Sequence, residues 1–165
     1  MAVLQDQGRI ELAEQFKNRP LHLAWGHGLP AWDAAPSSEP VTATALVDEI
    51  GRRVSSQKQF VVPETDVNAP NTIRVPGGDL YRIVATPSRW VFIEFVFDYG
   101  DGAGQDIREL GLFVGTEVAA GLPAGQRYFT PAQITTPGRH YMLDRIPRLI
   151  RSGATEQVYR YVLPF

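Results

Sequence analysis

WVFIEFVFDYGDGAGQDIRELGLFV, Trp90 to Val114, places two apolar runs on either side of a polar, glycine-rich connection. From Trp90 to Phe97 every residue except Glu94 is β-branched or aromatic, a composition that suits a pleated surface. Alternation sends Val91, Ile93, Phe95 and Phe97 to one face and Trp90, Phe92, Glu94 and Val96 to the other. Both faces are greasy, unlike those of a sheet with one side in water. The pattern predicts a long β-hairpin with each face covered, by a second layer of this chain or by another chain.

Around this hairpin the chain reads as one domain, residues 1–165, with a helical N-terminal portion (1–53) and a β portion (54–165). At 165 residues, burying about 70% of the unfolded surface is feasible. The fold class predicted is α+β, mostly β: an antiparallel sheet or β-sandwich with short N-terminal helices. Ile10, Ala13 and Phe16 form one stripe of a helix over Gln7 to Lys17. A second helix is predicted from Pro40 or Val41 to Arg52, with Pro40 at a first helical position and Val47 and Ile50 three apart. Ala31 to Pro40 reads as a loop, as does Gly115 to Pro131. Strands are predicted at Leu21–Trp25, Gln59–Val62, Thr72–Val75, Leu80–Ala85, His140–Leu143 and Val158–Val162, with Pro76-Gly77-Gly78-Asp79 as turn chemistry.

The net charge of −2 gives no electrostatic footprint for nucleic acid. With no cysteine, disulfides and thiol chemistry are excluded. The N-terminus has no apolar core of signal-peptide length, and no segment reaches the roughly 20 apolar residues that span a bilayer. Synthesis in a cytoplasm, with no membrane and no nucleic-acid partner, is the expectation.

Glu94 and Glu109 are carboxylates in apolar strands. Opposed across a hairpin, they would approach the separation of about 5–5.5 Å used by retaining glycosidases. Ion pairing to Arg52, Arg53, Arg108 or Arg145 explains them more simply. Asp98 to Asp106 resembles a calcium loop, but Gly100, Gly102 and Ala103 stand where ligands and the turn glycine are required; it reads as a solvated hairpin tip. His22, His27 and His140, with Asp33, match no zinc spacing. No Gly-x-Ser-x-Gly elbow marks a nucleophile. Arg139, Arg145, Arg148 and Arg151 face Asp144 alone in their segment and suit an acidic protein patch. No catalytic residue, metal or cofactor is therefore predicted.

Several segments, in order, resemble the N-terminal region of bacteriophage tail-collar and tail-fibre proteins. They are Gly8 with Leu12, Ala13 and Phe16; Gly26-His27-Gly28; Ala45 to Arg53; Ile107-Arg108-Glu109-Leu110-Gly111-Leu112-Phe113; Tyr128 to Ala132; and Arg145 to Gly153. The resemblance implies a structural virion protein of a contractile tail, in the baseplate, fibre-attachment or collar region, made in the host bacterial cytoplasm. It implies an oligomeric adaptor, trimer favoured, whose partners are other tail, baseplate or fibre proteins. A chain ending at Phe165 would lack the length for a fibre shaft, so an adaptor is expected rather than a receptor binder. Glu49, Arg52, Arg108 and Glu109 are the candidate structural polar cluster. Trp32, Arg145, Arg148, Arg151, Tyr159 and Tyr161 are the candidate interface. The alternative is a carbohydrate-binding β-sandwich module with Trp25, Trp32 or Trp90 as stacking platform, and third a glycosidase using Glu94 and Glu109.

Overall fold

The computed structural model describes residues 2–35 and 37–165. Pro36, in the loop expected over Ala31 to Pro40, lies outside the described residues. In chain order the elements are α1 (Asp6–Lys17), β1 (Leu21–Gly26), β2 (Glu49–Val54), β3 (Gln57–Pro63), β4 (Thr72–Arg74) and β5 (Leu80–Val84). There follow β6 (Trp90–Phe97), β7 (Asp106–Val114), β8 (Glu117–Val118), β9 (Tyr128–Phe129), β10 (Ile134–Thr136), β11 (Arg139–Ile150) and β12 (Gln157–Pro164). Short 3-10 turns occupy Pro30–Asp33 and Pro131–Gln133. The fold is α+β and mostly β, as the sequence predicts.

Contacts sort into two compact units, each assembled from separated stretches. The first comprises the residues through Arg19, Ser55–Phe95 and Val158–Phe165. Its sheet runs β12-β6-β3-β5-β4, with Val61, Val91, Phe92, Ile93 and Phe95 buried. Helix α1 buries Ala13 and Phe16 and carries Asp6 in its first turn and Lys17 in its last, which complements the helix dipole. Phe16 meets Phe165 at 5.2 Å between ring centroids, and the Lys17 ammonium sits 4.8 Å from the Phe60 ring.

The second unit, Pro20–Val54 and Val96–Gln157, holds the sheet β11-β7-β1-β2-β9 and the pair β10-β8. Every residue of β7 from Ile107 to Val114 is buried. On one face Ala24, Leu46 and Phe113 pack together with Leu143. Trp25 stacks on Phe97, with ring centroids 3.7 Å apart and planes 12° from parallel.

Three expectations need correction. The predicted hairpin does not form: β6 lies between β12 and β3, and β7 between β11 and β1, in different sheets. Each apolar run is instead an interior strand, paired on both edges within its own sheet. Glu94 accordingly stands opposite Gln57 and Glu109 opposite Gly26 and Arg145, so the two acids are not cross-strand neighbours.

The helix predicted up to Arg52 is also absent. Val41, Thr42, Thr44, Val47 and Ile50 are β-branched, and two apolar positions three apart are too short a pattern to set a helical period. Asp48 takes a left-handed φ of 54°, and β2 begins at the next residue.

The loop after β6 is a solvated tip only in part: Asp98 to Gly100, Ala103 and Gly104 are exposed, and the remainder is anchored from within. Asp101 is buried, and Arg53 donates to Asp101 at 2.5 Å and to Asp98 at 2.6 Å. Arg151, 1% exposed, donates to the carbonyls of Asp98 and Asp101, at 2.5 and 3.1 Å, and to that of Thr155. The aspartates that suggest a calcium loop are thus engaged by arginine. Two shorter adjustments complete the picture: β11 runs well past Leu143, and the expected loop from Gly115 to Pro131 contains β8 and β9.

Candidate functional site

The turn Gly26-His27-Gly28 carries the chain from β1 into the Pro30–Asp33 turn, which sets the positions of Trp32 and Asp33. Gly28 has a left-handed φ of 60°, and an added Cβ would lie 2.5 Å from the Trp32 ring and 2.9 Å from the Arg108 Cβ. Glycine is required there on both counts. His27 is held from both sides, with Nδ1 2.8 Å from Asp48 Oδ2 and Nε2 2.7 Å from Gln105 Oε1.

Arg108 reaches this turn from β7. Its guanidinium donates to both oxygens of Asp33, at 2.7 and 2.8 Å, and to the His27 carbonyl at 3.1 Å. This is the planar fork that arginine offers a carboxylate. The hydrogen bond from Arg108 holds the Asp33 carboxyl below its ordinary range and raises the Arg108 guanidinium in turn.

Arg145 reaches it from β11. The strand pairs Arg145 with Glu109 and Leu149 with Ile107, so three residues, Ile146 to Arg148, stand opposite one on β7. This bulge turns Ile146 and Pro147 away from the ladder. Arg145 donates to Glu109 Oε1 at 3.2 Å and to the Ser38 carbonyl at 2.5 Å. Its Cζ lies 4.1 Å from the Trp32 ring centroid, a cation–π contact. Arg148, 45% exposed, pairs with Asp106 at 2.8 Å.

Trp32, Asp33, Ser37, Arg108, Arg145, Ile146, Pro147 and Arg148 line a cavity of about 520 Å³, in the usual range for binding clefts. Its lining combines Trp32, Ile146 and Pro147 with three arginines and Asp33, and of the arginines Arg148 is half-exposed. The candidate interface residues Trp32, Arg145 and Arg148 come together here. Arg151 does not, being buried under the loop after β6, and Tyr159 and Tyr161 lie half-buried on β12.

Of the candidate polar cluster, Glu49 and Arg52 are paired at 2.6 and 2.9 Å. The β2 bulge, where Gly26 pairs with Glu49 and Trp25 with Gly51, puts residues three apart on one face. Arg52 lies 3.7 Å over the Phe113 ring. Glu109 shares that face but bonds to Arg145 and to the Val47 N–H at 2.7 Å, while Arg108 points to the other.

Trp25 is fully buried and offers no stacking platform, and Trp90, half-buried, is covered by Arg89 at 4.3 Å. The three histidines have different surroundings. Burial and nearby Arg52 lower His22 to about 4, and His140 stacks on Phe113 at 4.6 Å. Among the described residues no three His, Cys, Asp or Glu side chains are grouped to hold a metal.

Fold and site together define a mostly-β scaffold in which Arg108 and Arg145 fasten loop residues around an aromatic cleft. The chain belongs to the family of baseplate wedge 3 tail fiber network components, whose model matches residues 1–165. No curated protein matches the chain. It is a bacteriophage baseplate component associated with the tail fibres, and its place is the virion tail.

Proposed function

We propose that the protein is a non-enzymatic adaptor of the fibre network. It assembles as a homo-oligomer, trimer favoured, and docks a neighbouring baseplate or fibre protein through the Trp32 cavity. The observation that carries this reading is how the cavity is held. Arg108 and Arg145 are committed to Asp33 and Glu109 inside the chain, so the walls are fixed, with half-buried Trp32 braced by Arg145 and lining the cavity beside Ile146 and Pro147. Apolar aromatic surface inside a rigid, charge-braced rim is how interface anchor sites are built. In tails reconstituted from purified components, Trp32→Ala is expected to reduce incorporation of the protein roughly tenfold or more, a loss of about 1.4 kcal/mol or more. Wild-type levels of incorporation would overturn the docking assignment. Light scattering reads the oligomer directly, and a monomer at working concentration would overturn that part. Turnover on a panel of glycosides, esters and peptides, abolished by Glu94→Gln or Glu109→Gln, would overturn the non-enzymatic reading.

A further inference from the structure

A second, smaller cavity lies along the outer edge of β11, between that strand and the segment from Glu39 to Ala43. It measures about 280 Å³ and is lined by Glu39, Pro40, Val41, Ala43 and residues 140–143. That is below the roughly 300–1,000 Å³ of small-molecule sites and on the scale of one long side chain. β11 is the last strand of its sheet, and sheet edges are natural places for another chain to approach. Val41 is wholly exposed and Tyr141 is 48% exposed, so apolar surface faces solvent on both sides of the cleft.

Carboxylates stand at the Leu143 end of the cavity. Glu39 stands in its wall, its Oε1 accepting from the Arg145 backbone N–H at 3.2 Å. Asp144 is the next residue along the strand beyond the lining stretch, and burial and the Glu39 carboxylate push its carboxyl up. The neighbouring positive candidates are committed elsewhere. The Arg145 guanidinium is turned to Glu109, the Ser38 carbonyl and Trp32, and burial keeps His140 low and neutral near pH 7. Arg139, exposed, adjoins the His140 end of the cavity, away from the carboxylates.

We infer that this cleft receives a lysine or arginine side chain of a partner protein, its methylene stem against Pro40, Val41 and Met142 and its charge beside Glu39 and Asp144. Such side chains combine an apolar stem with a cationic head, which matches apolar walls ending at carboxylates. The inference stands apart from the Trp32 cavity and does not depend on it.

The test is a titration of the 15N-labelled full chain, followed by NMR, with a capped alternating valine–lysine heptapeptide. Control peptides carry norleucine or glutamate in place of lysine. The lysine peptide is expected to shift the amides of Val41 and Tyr141 to Leu143 saturably, binding roughly tenfold more tightly than the norleucine peptide, about 1.4 kcal/mol. The glutamate peptide is expected to leave them unmoved. Asp144→Asn should weaken the lysine peptide severalfold while Trp32→Ala leaves its affinity unchanged, which separates this cleft from the docking cavity. Equal affinity for lysine and norleucine peptides would make the cleft a plain apolar groove and overturn the inference. So would the absence of any saturable shift at millimolar peptide. Concentration-dependent shifts of the same amides without peptide would identify a second copy as the occupant and overturn it as well.

Discussion

Glu94 on β6 is met by one guanidinium, that of Arg160 at 2.8 Å, whose side chain is 48% exposed. Glu109 on β7 is 1% exposed and is met by Arg145, itself 13% exposed, and by the Val47 N–H. The first acid sits in a sheet beside the edge strand β12, and its partner's far side reaches water. The second sits in mid-sheet, and its partner guanidinium is largely withdrawn from water. The difference teaches that the access of the counter-ion to solvent, more than the burial of the acid, decides what its loss costs. An arginine that reaches water rehydrates when its partner is removed; one that cannot is left desolvated.

The largest expected effect is therefore at Glu109. Glu109→Ala leaves Arg145 without its carboxylate and removes the acceptor for the Val47 N–H, and breaking a buried pair costs about 3–5 kcal/mol. Against a domain stability of about 5–15 kcal/mol, denaturant unfolding should show a large loss, with reduced oligomer mass in light scattering. Glu109→Gln keeps an acceptor for Val47 and should lose less. A midpoint unchanged by Glu109→Ala would break the comparison at its strongest end.

Next comes His22, a buried group whose charged neighbour, Arg52, is of like sign, which sharpens the comparison by showing what burial does without a carboxylate to offset it. Its pKa falls from 6.5 to about 4 because burial and Arg52 disfavour the imidazolium. The unfolded chain then binds the extra proton between pH 6.5 and 4. Stability should be complete above that window and fall through it by about 3 kcal/mol. Carboxylates also titrate at the acid end, so the measurement is the difference between wild type and His22→Leu at pH 7 and at pH 4.5. The wild type should lose more stability on acidification. Parallel losses would show that His22 accepts its proton in place.

The Trp90–Val114 stretch shows how much of this was legible. Strand identity and double-faced burial follow from composition, and β6 and β7 form where the apolar runs predict. Their pairing does not follow, because a glycine-rich connection permits a hairpin or a passage between sheets equally. What selects the passage is Arg53 and Arg151, 45 and 53 residues from Asp98, and such distant contacts leave no local pattern. The site divides the same way. Trp32 in a proline-rich loop and the arginines of β11 signal contact by their residue types. Asp33 as the partner of Arg108, 75 residues away, and the three-residue bulge that opens the cavity have no sequence signature. The second helix fails for a local reason: glycine at position 51 disfavours a helix by about 1 kcal/mol relative to alanine, and in β2 its missing side chain leaves room for the Tyr128 hydroxyl.

The smallest effect is expected at Glu94, and it tests the comparison from its weak end. Glu94 is itself buried, 7% exposed, so burial of the acid alone would predict a loss near that of Glu109. Arg160, however, can swing its guanidinium fully into water once the carboxylate is gone, and half-exposed pairs contribute about 0–1 kcal/mol. Glu94→Ala should therefore cost no more than about 1 kcal/mol beyond its lost side-chain packing. Salt supplies the second readout. Raising ionic strength to 1 M shortens the screening length to about 3 Å, which should reduce the difference between wild type and Glu94→Ala and leave that between wild type and Glu109→Ala almost intact. The measurement is a pair of urea titrations at about 0.05 M and 1 M sodium chloride. Equal salt sensitivity at the two sites would mean that water reaches Arg145 as readily as Arg160, and the distinction between the two acids would fail.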